Sequence, residues 1–227
     1  DTAVMEMAAA AGLPLLTEEE KNPLYTTTYG AGQMLLHILD RGCRKVYIGL
    51  GGSATNDCGM GFLQALGVRF YDKSGKFLDG CGEALEKVEE IDFSGLDPRV
   101  KQCEITVLCD VENPLLGPEG AVYTFAVQKG GGDVLDILEA GTAHFVRMVK
   151  HYLDVNEKTP GCGAGAGLGF CLLEILKAEK KRGILAILEM IHAKDWISGA
   201  DFVVTGEGRI DWQSAGGKAV WGVASLC

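Results

Sequence analysis

The stretch Gly49-Leu50-Gly51-Gly52-Ser53-Ala54-Thr55-Asn56-Asp57 decides how this chain reads. It follows a short apolar run, Lys45-Val46-Tyr47-Ile48, with the character of a buried strand, and precedes an amphipathic run, Met60 to Leu66, with the character of a helix. A strand that ends in a glycine-rich turn and opens into a helix exposes backbone N–H groups at the positive end of the helix dipole. Such a mouth suits an anion such as phosphate or carboxylate. Ser53, Thr55, Asn56 and Asp57 add four polar side chains there.

Working outward, Gln33 to Leu39 has helical spacing and stops at Gly42. The order helix, strand, glycine loop, helix predicts a mostly parallel α/β sheet with flanking helices. Ala3 to Ala11 is alanine- and methionine-rich and predicts a helix. Val68 to Tyr71, Val88 to Phe93, Ile105 to Cys109 and Asp201 to Thr205 predict strands. Helices are expected over Gly120 to Gln128, Val134 to Leu153, Cys171 to Leu176 and Ile184 to Ile191. The change of character after Gly67 suggests two lobes, 1–67 with 160–227 and 68–159.

Composition narrows the function. Hydrophobic residues make up 47% and charged residues 23%, ordinary values for a globular enzyme. A formal net charge of −10 argues against nucleic-acid or anionic-membrane partners, which need a basic face. No apolar run reaches membrane-spanning length. The eight cysteines have no C-x-x-C spacing and read as reduced thiols of a cytoplasmic protein. The chain opens on Asp1 and closes on an apolar helix-like run, which suggests part of a longer product.

Three acids stand just after predicted strands: Asp57, Asp110 and Asp211. In open α/β sheets ligands bind beyond the carboxyl ends of the strands. Acids there either hold Mg²⁺, serve as a general base, or cap their own turns. Arg209 is a clamp for an anion or an ion-pair partner of Glu207 or Asp211. Lys129 and Lys218, each beside glycines, are phosphate contacts or solvated lysines. Glycine loops taken singly are weak signals. A P-loop is absent, and Gly165, Gly167 and Gly169 merely alternate, so no dinucleotide fingerprint is read. His144 and His151 share a helix face without partners for a metal set.

Taken together, Gly51 to Asp57, Cys109-Asp110-Val111-Glu112-Asn113-Pro114-Leu115-Leu116-Gly117-Pro118 and Thr205-Gly206-Glu207-Gly208-Arg209-Ile210-Asp211 strongly resemble the bacterial type I glycerate kinase family. Asp92 to Arg99, Gln128-Lys129-Gly130 and Gly167-Leu168-Gly169-Phe170 match in the same order. The resemblance covers essentially the whole chain.

It implies a two-lobed kinase that transfers the γ-phosphoryl group of ATP to a hydroxyl of D-glycerate with Mg²⁺, 2-phosphoglycerate being the favoured product. It also implies further sequence at both ends, including an Asp-Ser-Phe-Lys motif before Asp1. The expected catalytic acids are Asp57, Asp110 and Asp211, with Asp110 and Asp211 also the Mg²⁺ candidates. The expected substrate and nucleotide contacts are Gly51, Gly52, Ser53, Thr55, Asn56, Asn113, Lys129, Gly165, Gly167, Glu207, Arg209 and Lys218. A homodimer is compatible with this reading. Cys58 and Cys81 stand where the family usually has glycine, and Trp212 replaces another. The competing readings are a non-catalytic nucleotide- or anion-binding module and a kinase for another small hydroxy acid.

Overall fold

The computed structural model describes residues 1–208 and 219–227. The chain opens with strand β1 (Thr2–Glu6), a single-turn helix α1 (Ala8–Ala11) and helix α2 (Tyr29–Asp40), then β2 (Lys45–Gly49) and α3 (Met60–Ala65). A two-stranded antiparallel ribbon follows, β3 (Arg69–Tyr71) with β4 (Glu90–Asp92). Next come β5 (Glu104–Leu108), α4 (Ala121–Phe125), a 3₁₀ turn at Val127–Lys129 and the long α5 (Leu135–Lys150). The glycine-rich segment leads through a 3₁₀ turn at Ala164–Gly167 into α6 (Leu168–Phe170), which continues as a π-helical turn at Cys171–Ile175. Strand β6 (Glu179–Lys181), α7 (Gly183–Met190), α8 (Ala193–Ile197) and α9 (Ala219–Ala224) complete the described elements.

The main sheet has the order β1-β2-β5-β6, and every neighbouring pair is parallel. Parallel pairing explains the composition of β2. Val46, Tyr47 and Ile48 are all buried, because helices cover both faces of such a sheet. In β5, Ile105, Thr106 and Val107 are buried for the same reason. The four strands end at Glu6, Gly49, Leu108 and Lys181, so the loops after them gather at one edge of the sheet. Helix α2 crosses α3 where Gly32 removes a side chain. A Cβ there would lie 2.6 Å from the Phe62 carbonyl oxygen and 2.7 Å from Ala65 Cβ. Phe62, Leu63, Leu35 and Leu39 pack in the resulting core with Val46, Ile48 and Val107.

Four segments differ from the sequence-based expectation. The start of the Ala3–Ala11 helix is instead β1, paired with β2 from Thr2↔Lys45 to Glu6↔Gly49, and only Ala8–Ala11 is helical. Parallel pairing with β2, aided by the β-branched Thr2 and Val4, outweighs the helix propensity of Ala3, Met5 and Glu6. Asp201–Thr205 forms no strand among the described residues, and Phe202 and Val204 are 91% and 95% exposed. Strand β6 carries Glu179-Lys180-Lys181, which no hydrophobic pattern announces. Strand β5 lies within 68–159, the segment expected to form the second lobe, yet it hydrogen-bonds between β2 and β6. That segment therefore supplies a central strand of the main sheet. Among the described residues no helix is long and apolar enough to cross a membrane.

Candidate active site

The loop after β2 is fastened before it can bind anything. Leu13 N–H donates to the Gly52 carbonyl at 2.9 Å, and Ala54 N–H donates to the Ala11 carbonyl at 2.9 Å. Gly52 turns with φ +73°, a conformation that favours glycine. Asp57 then locks the far end. Its Oδ2 accepts from Thr28 N–H at 2.8 Å, Thr28 Oγ1–H at 2.8 Å and Gly61 N–H at 3.2 Å, while Oδ1 accepts from Gly59 N–H at 3.1 Å. The carboxyl is fully buried. Burial pushes its pKa up, opposed by the hydrogen bonds from Thr28, Gly59 and Gly61.

The sequence predicts that the N-terminus of α3 receives a ligand anion. In the structure the anion at that place is the chain's own Asp57 carboxylate. The helix is six residues long, and the N–H groups at its start are already engaged. Asp57, expected as a catalytic acid, thus sits beneath the loop as its anchor. Thr28, which sequence reasoning passed over, is the partner; the run Thr26-Thr27-Thr28 before α2 is the signal that could have found it.

Ser53 and Lys129 meet above this anchor. The 3₁₀ turn at Val127–Lys129 ends at Gly130, with φ +84°, and delivers the Lys129 side chain into the loop. Lys129 Nζ donates to Ser53 Oγ at 2.6 Å and to the Thr55 carbonyl at 2.8 Å. The lysine is 1% exposed. Burial lowers its pKa to about 7, with the Asp57 charge acting in the opposite direction.

These groups border a cavity of about 350 Å³ at the carboxyl ends of the strands, a size typical of small-ligand pockets. Gly51, Gly52, Ser53, Asp110, Lys129 and Gly165 line it, and all six were expected site residues. Leu13, Cys109, Phe125 and Gln128 line it too and were not among those expected. Asp110 follows β5 directly, is exposed, and accepts from Gly183 N–H at 3.0 Å through Oδ1. Gly165 belongs to a left-handed run, with φ of 59°, 50° and 96° at residues 165 to 167. Gly51 leaves open space where a Cβ would stand.

The remaining expected contacts lie elsewhere. Asn113 braces loops: its Nδ2 donates to the Glu119 carbonyl at 2.8 Å, and its own carbonyl accepts from Gly163 N–H at 2.9 Å. Gly167 packs against Cys58, where a Cβ would be 2.9 Å from the Cys58 Cα. Thr55 and Asn56 are buried and do not line the cavity. Thr55 Oγ1 and both amide atoms of Asn56 have no hydrogen-bond partner among the described residues. Glu207 is half-buried and does not line the cavity either. Arg209, Asp211 and Lys218 lie outside the described residues. A larger groove of about 620 Å³ near Gln64 and Arg69 shares no lining residue with this site. Gln64 is already engaged there, donating to the Leu78 carbonyl and accepting from Gly80 N–H.

A cavity at the carboxyl edge of a parallel sheet, walled by the loops quoted from the sequence, invites comparison with known proteins. The model of the glycerate kinase family matches residues 1–227. The chain belongs to the glycerate kinase family. It is 48% identical over 225 residues to a glycerate kinase of Bacillus subtilis (strain 168), covering 98% of this chain and 59% of that protein. It is 44% identical over 227 residues to the glycerate 2-kinase of Escherichia coli (strain K12), covering 99% of this chain and 60% of that protein. A solved structure assigned as a glycerate kinase 2 from Salmonella typhimurium LT2 superposes with a TM-score of 0.91 at 40% identity, over 99% of this chain and 60% of that one. The α/β architecture expected from sequence is therefore the fold of the family. The chain spans about 60% of the length of these relatives.

Proposed function

We propose that the complete protein is a cytoplasmic kinase that transfers the γ-phosphoryl group of ATP to a hydroxyl of D-glycerate, with 2-phosphoglycerate as product. Family membership supports the reaction class. The observation that carries the assignment of the site is the union, in one cavity, of a buried cation, an exposed carboxylate and glycine loops at the strand ends.

Phosphoryl transfer asks a protein for alignment and charge neutralisation more than for covalent chemistry. Asp110 is the group to accept the hydroxyl proton, since one carboxylate oxygen accepts from Gly183 N–H and, among the described residues, the other has no partner. As the hydroxyl oxygen bonds to the γ-phosphorus, the bond to the β–γ bridging oxygen breaks and ADP leaves. Gly51, Gly52 and Gly165 let the ligand approach the backbone. Lys129 supplies positive charge.

The donor set also fits Mg²⁺. Among the described residues no three acidic, His or Cys side chains converge, so an all-protein cage is not formed there. Mg²⁺ characteristically uses one or two carboxylates plus phosphates and water, and Asp110 would offer such a carboxylate if Asp211 instead accepts the hydroxyl proton. When bound, the ion would neutralise phosphate oxygens. With Asp110 as the base, Asp211 is the expected ligand, with Arg209 and Lys218 as further anion contacts.

The test is ATP consumption by the full-length protein that depends on both D-glycerate and Mg²⁺, with NMR identifying the phosphorylated carbon. Tartronate and lactate, assayed in parallel, decide between glycerate and another hydroxy acid. Nucleotide binding without turnover of any of the three overturns the proposal in favour of a binding module.

A further inference from the structure

Lys129 is an unusual lysine for reasons of geometry. Its side chain is almost wholly buried, yet it borders the cavity. An ammonium has three N–H donors. Two are taken, by Ser53 Oγ and the Thr55 carbonyl, and both acceptors are neutral. Among the described residues no carboxylate forms an ion pair with it; the eight salt bridges found there involve other residues. A buried charge with no ion-pair partner is costly, the through-space charge of Asp57 offsets only part of that cost, and an anion that enters the site relieves more of it.

Ser53 strengthens the case. Its oxygen accepts the lysine proton, so its own O–H is left to donate outward, and among the described residues it donates to nothing. The N–H groups of Gly51 and Gly52 likewise make no backbone hydrogen bond among the described residues. One cation, one hydroxyl and these amides border the same cavity.

We propose that Lys129 and Ser53 form the anchor for the carboxylate of the acid substrate, and that this pair makes the site select hydroxy acids over neutral polyols. This deepens the reading of the chain as a glycerate kinase and rests on it. A monoanion matches the single remaining lysine donor. Among the described residues Lys129 is the one basic side chain in the lining, which otherwise includes Leu13, Leu50, Leu108, Val111 and Phe125, so its charge balances a monoanion rather than a polyphosphate. Asp57 acts on Lys129 through space, and Asp110 and Cys109 are the other titratable side chains in the lining of its cavity among the described residues. The hydroxyl of a bound α-hydroxy acid then extends from the anchored carboxylate towards the Asp110 side.

The experiment uses the full-length protein. Steady-state KM for D-glycerate and for ATP, and calorimetric binding of D-glycerate and glycerol, are measured for wild type, Lys129→Met and Ser53→Ala. The expected result is a KM for glycerate raised at least tenfold in Lys129→Met and several-fold in Ser53→Ala, with KM for ATP within twofold. Glycerol should bind no better to wild type than to the variants. Wild-type glycerate affinity should fall as pH rises from 6 to 9.

A glycerate KM unchanged in a folded Lys129→Met protein overturns the anchor, and so does a KM rise confined to ATP. If Lys129→Met does not fold, Ser53→Ala and the wild-type pH dependence decide by the same criteria. Glycerate binding in the wild type without ATP-dependent turnover would overturn the kinase reading while leaving the anchor standing.

Discussion

Thr28 Oγ1 donates to Asp57 Oδ2 at 2.8 Å while accepting from Phe62 N–H at 2.8 Å. One hydroxyl thereby ties the start of α2 to the body of α3 and to the loop that carries Ser53. Thr28→Val keeps the shape and removes both bonds. Phe62 N–H is left unsatisfied and Asp57 Oδ2 loses one of its three donors; at about 1–3 kcal/mol each we expect a loss of roughly 2–6 kcal/mol. Asp57→Ala leaves four donors unmatched and should cost more. Asp57→Asn should fall between the two, because three of the donors converge on one oxygen that the amide can retain. Urea unfolding of the three variants checks the ranking. An Asp57→Ala protein with native stability but no turnover would return Asp57 to the role of catalytic acid.

The crossing of α2 and α3 gives a second expectation. Gly32→Ala should help an isolated helix by about 1 kcal/mol. In the protein the added methyl would stand 2.6 Å from the Phe62 carbonyl oxygen and 2.7 Å from Ala65 Cβ. Neither neighbour is the flexible end of a long side chain. The helices must separate, and overpacking of this kind costs about 1–3 kcal/mol. The net change should therefore be destabilising, read as a lower denaturant midpoint with an unchanged slope.

The layout of the sheet was legible where burial is continuous. Val46-Tyr47-Ile48 and Ile105-Thr106-Val107 could hardly be anything but inner strands. The outer strands of the described sheet were not legible, because β1 includes the helix formers Ala3, Met5 and Glu6 ahead of an alanine run and β6 consists of charged residues. Of the expected site residues, the glycines Gly51, Gly52 and Gly165 and the acid Asp110 line one cavity, while Asp57 does not and Asp211 lies outside the described residues. The division of labour inside that cavity was not legible. Whether Asp57 faces a ligand or its own backbone depends on Thr28, which is 29 residues away in sequence. The lysine that borders the cavity was indistinguishable from a solvated one until Ser53 was seen 76 residues away beside it.

Lys129 also predicts a pH dependence of stability. Its folded-state pKa is lowered to about 7, whereas the unfolded side chain keeps the ordinary lysine value near 10.4. Below pH 7 both states are protonated and the cost of burying the cation is fully present. Between the two values the unfolded state binds the extra proton, so stability rises with pH. The slope approaches about 1.4 kcal/mol per pH unit at most. Other groups titrate in the same window, so the quantity to measure is wild type minus Lys129→Met. That difference should grow from pH 7 to pH 9 in denaturant unfolding. A flat difference would mean that Lys129 stays charged in its buried place.

Gly51 separates the cavity from the fold. A Cβ at this position meets nothing within 4 Å, and the residue does not have a positive φ, so alanine is accepted without strain. Gly51 nonetheless lines the cavity with Ser53, where the proposed substrate would approach the backbone. We expect Gly51→Ala to change stability by no more than about 0.5 kcal/mol. Turnover of D-glycerate by the full-length protein should fall through a higher KM, because the loss is one of space. Asp110→Asn is the complementary change. It keeps the volume and an oxygen for Gly183 N–H, and a lost general base lowers kcat by about 10²–10⁴. The pair is informative together: a Gly51→Ala effect on KM with an Asp110→Asn effect on kcat, in proteins of equal stability, assigns acceptor binding and proton removal to different residues of one cavity. The reverse assignment, or an Asp110→Asn enzyme with native kcat, would move the base to a residue outside this wall.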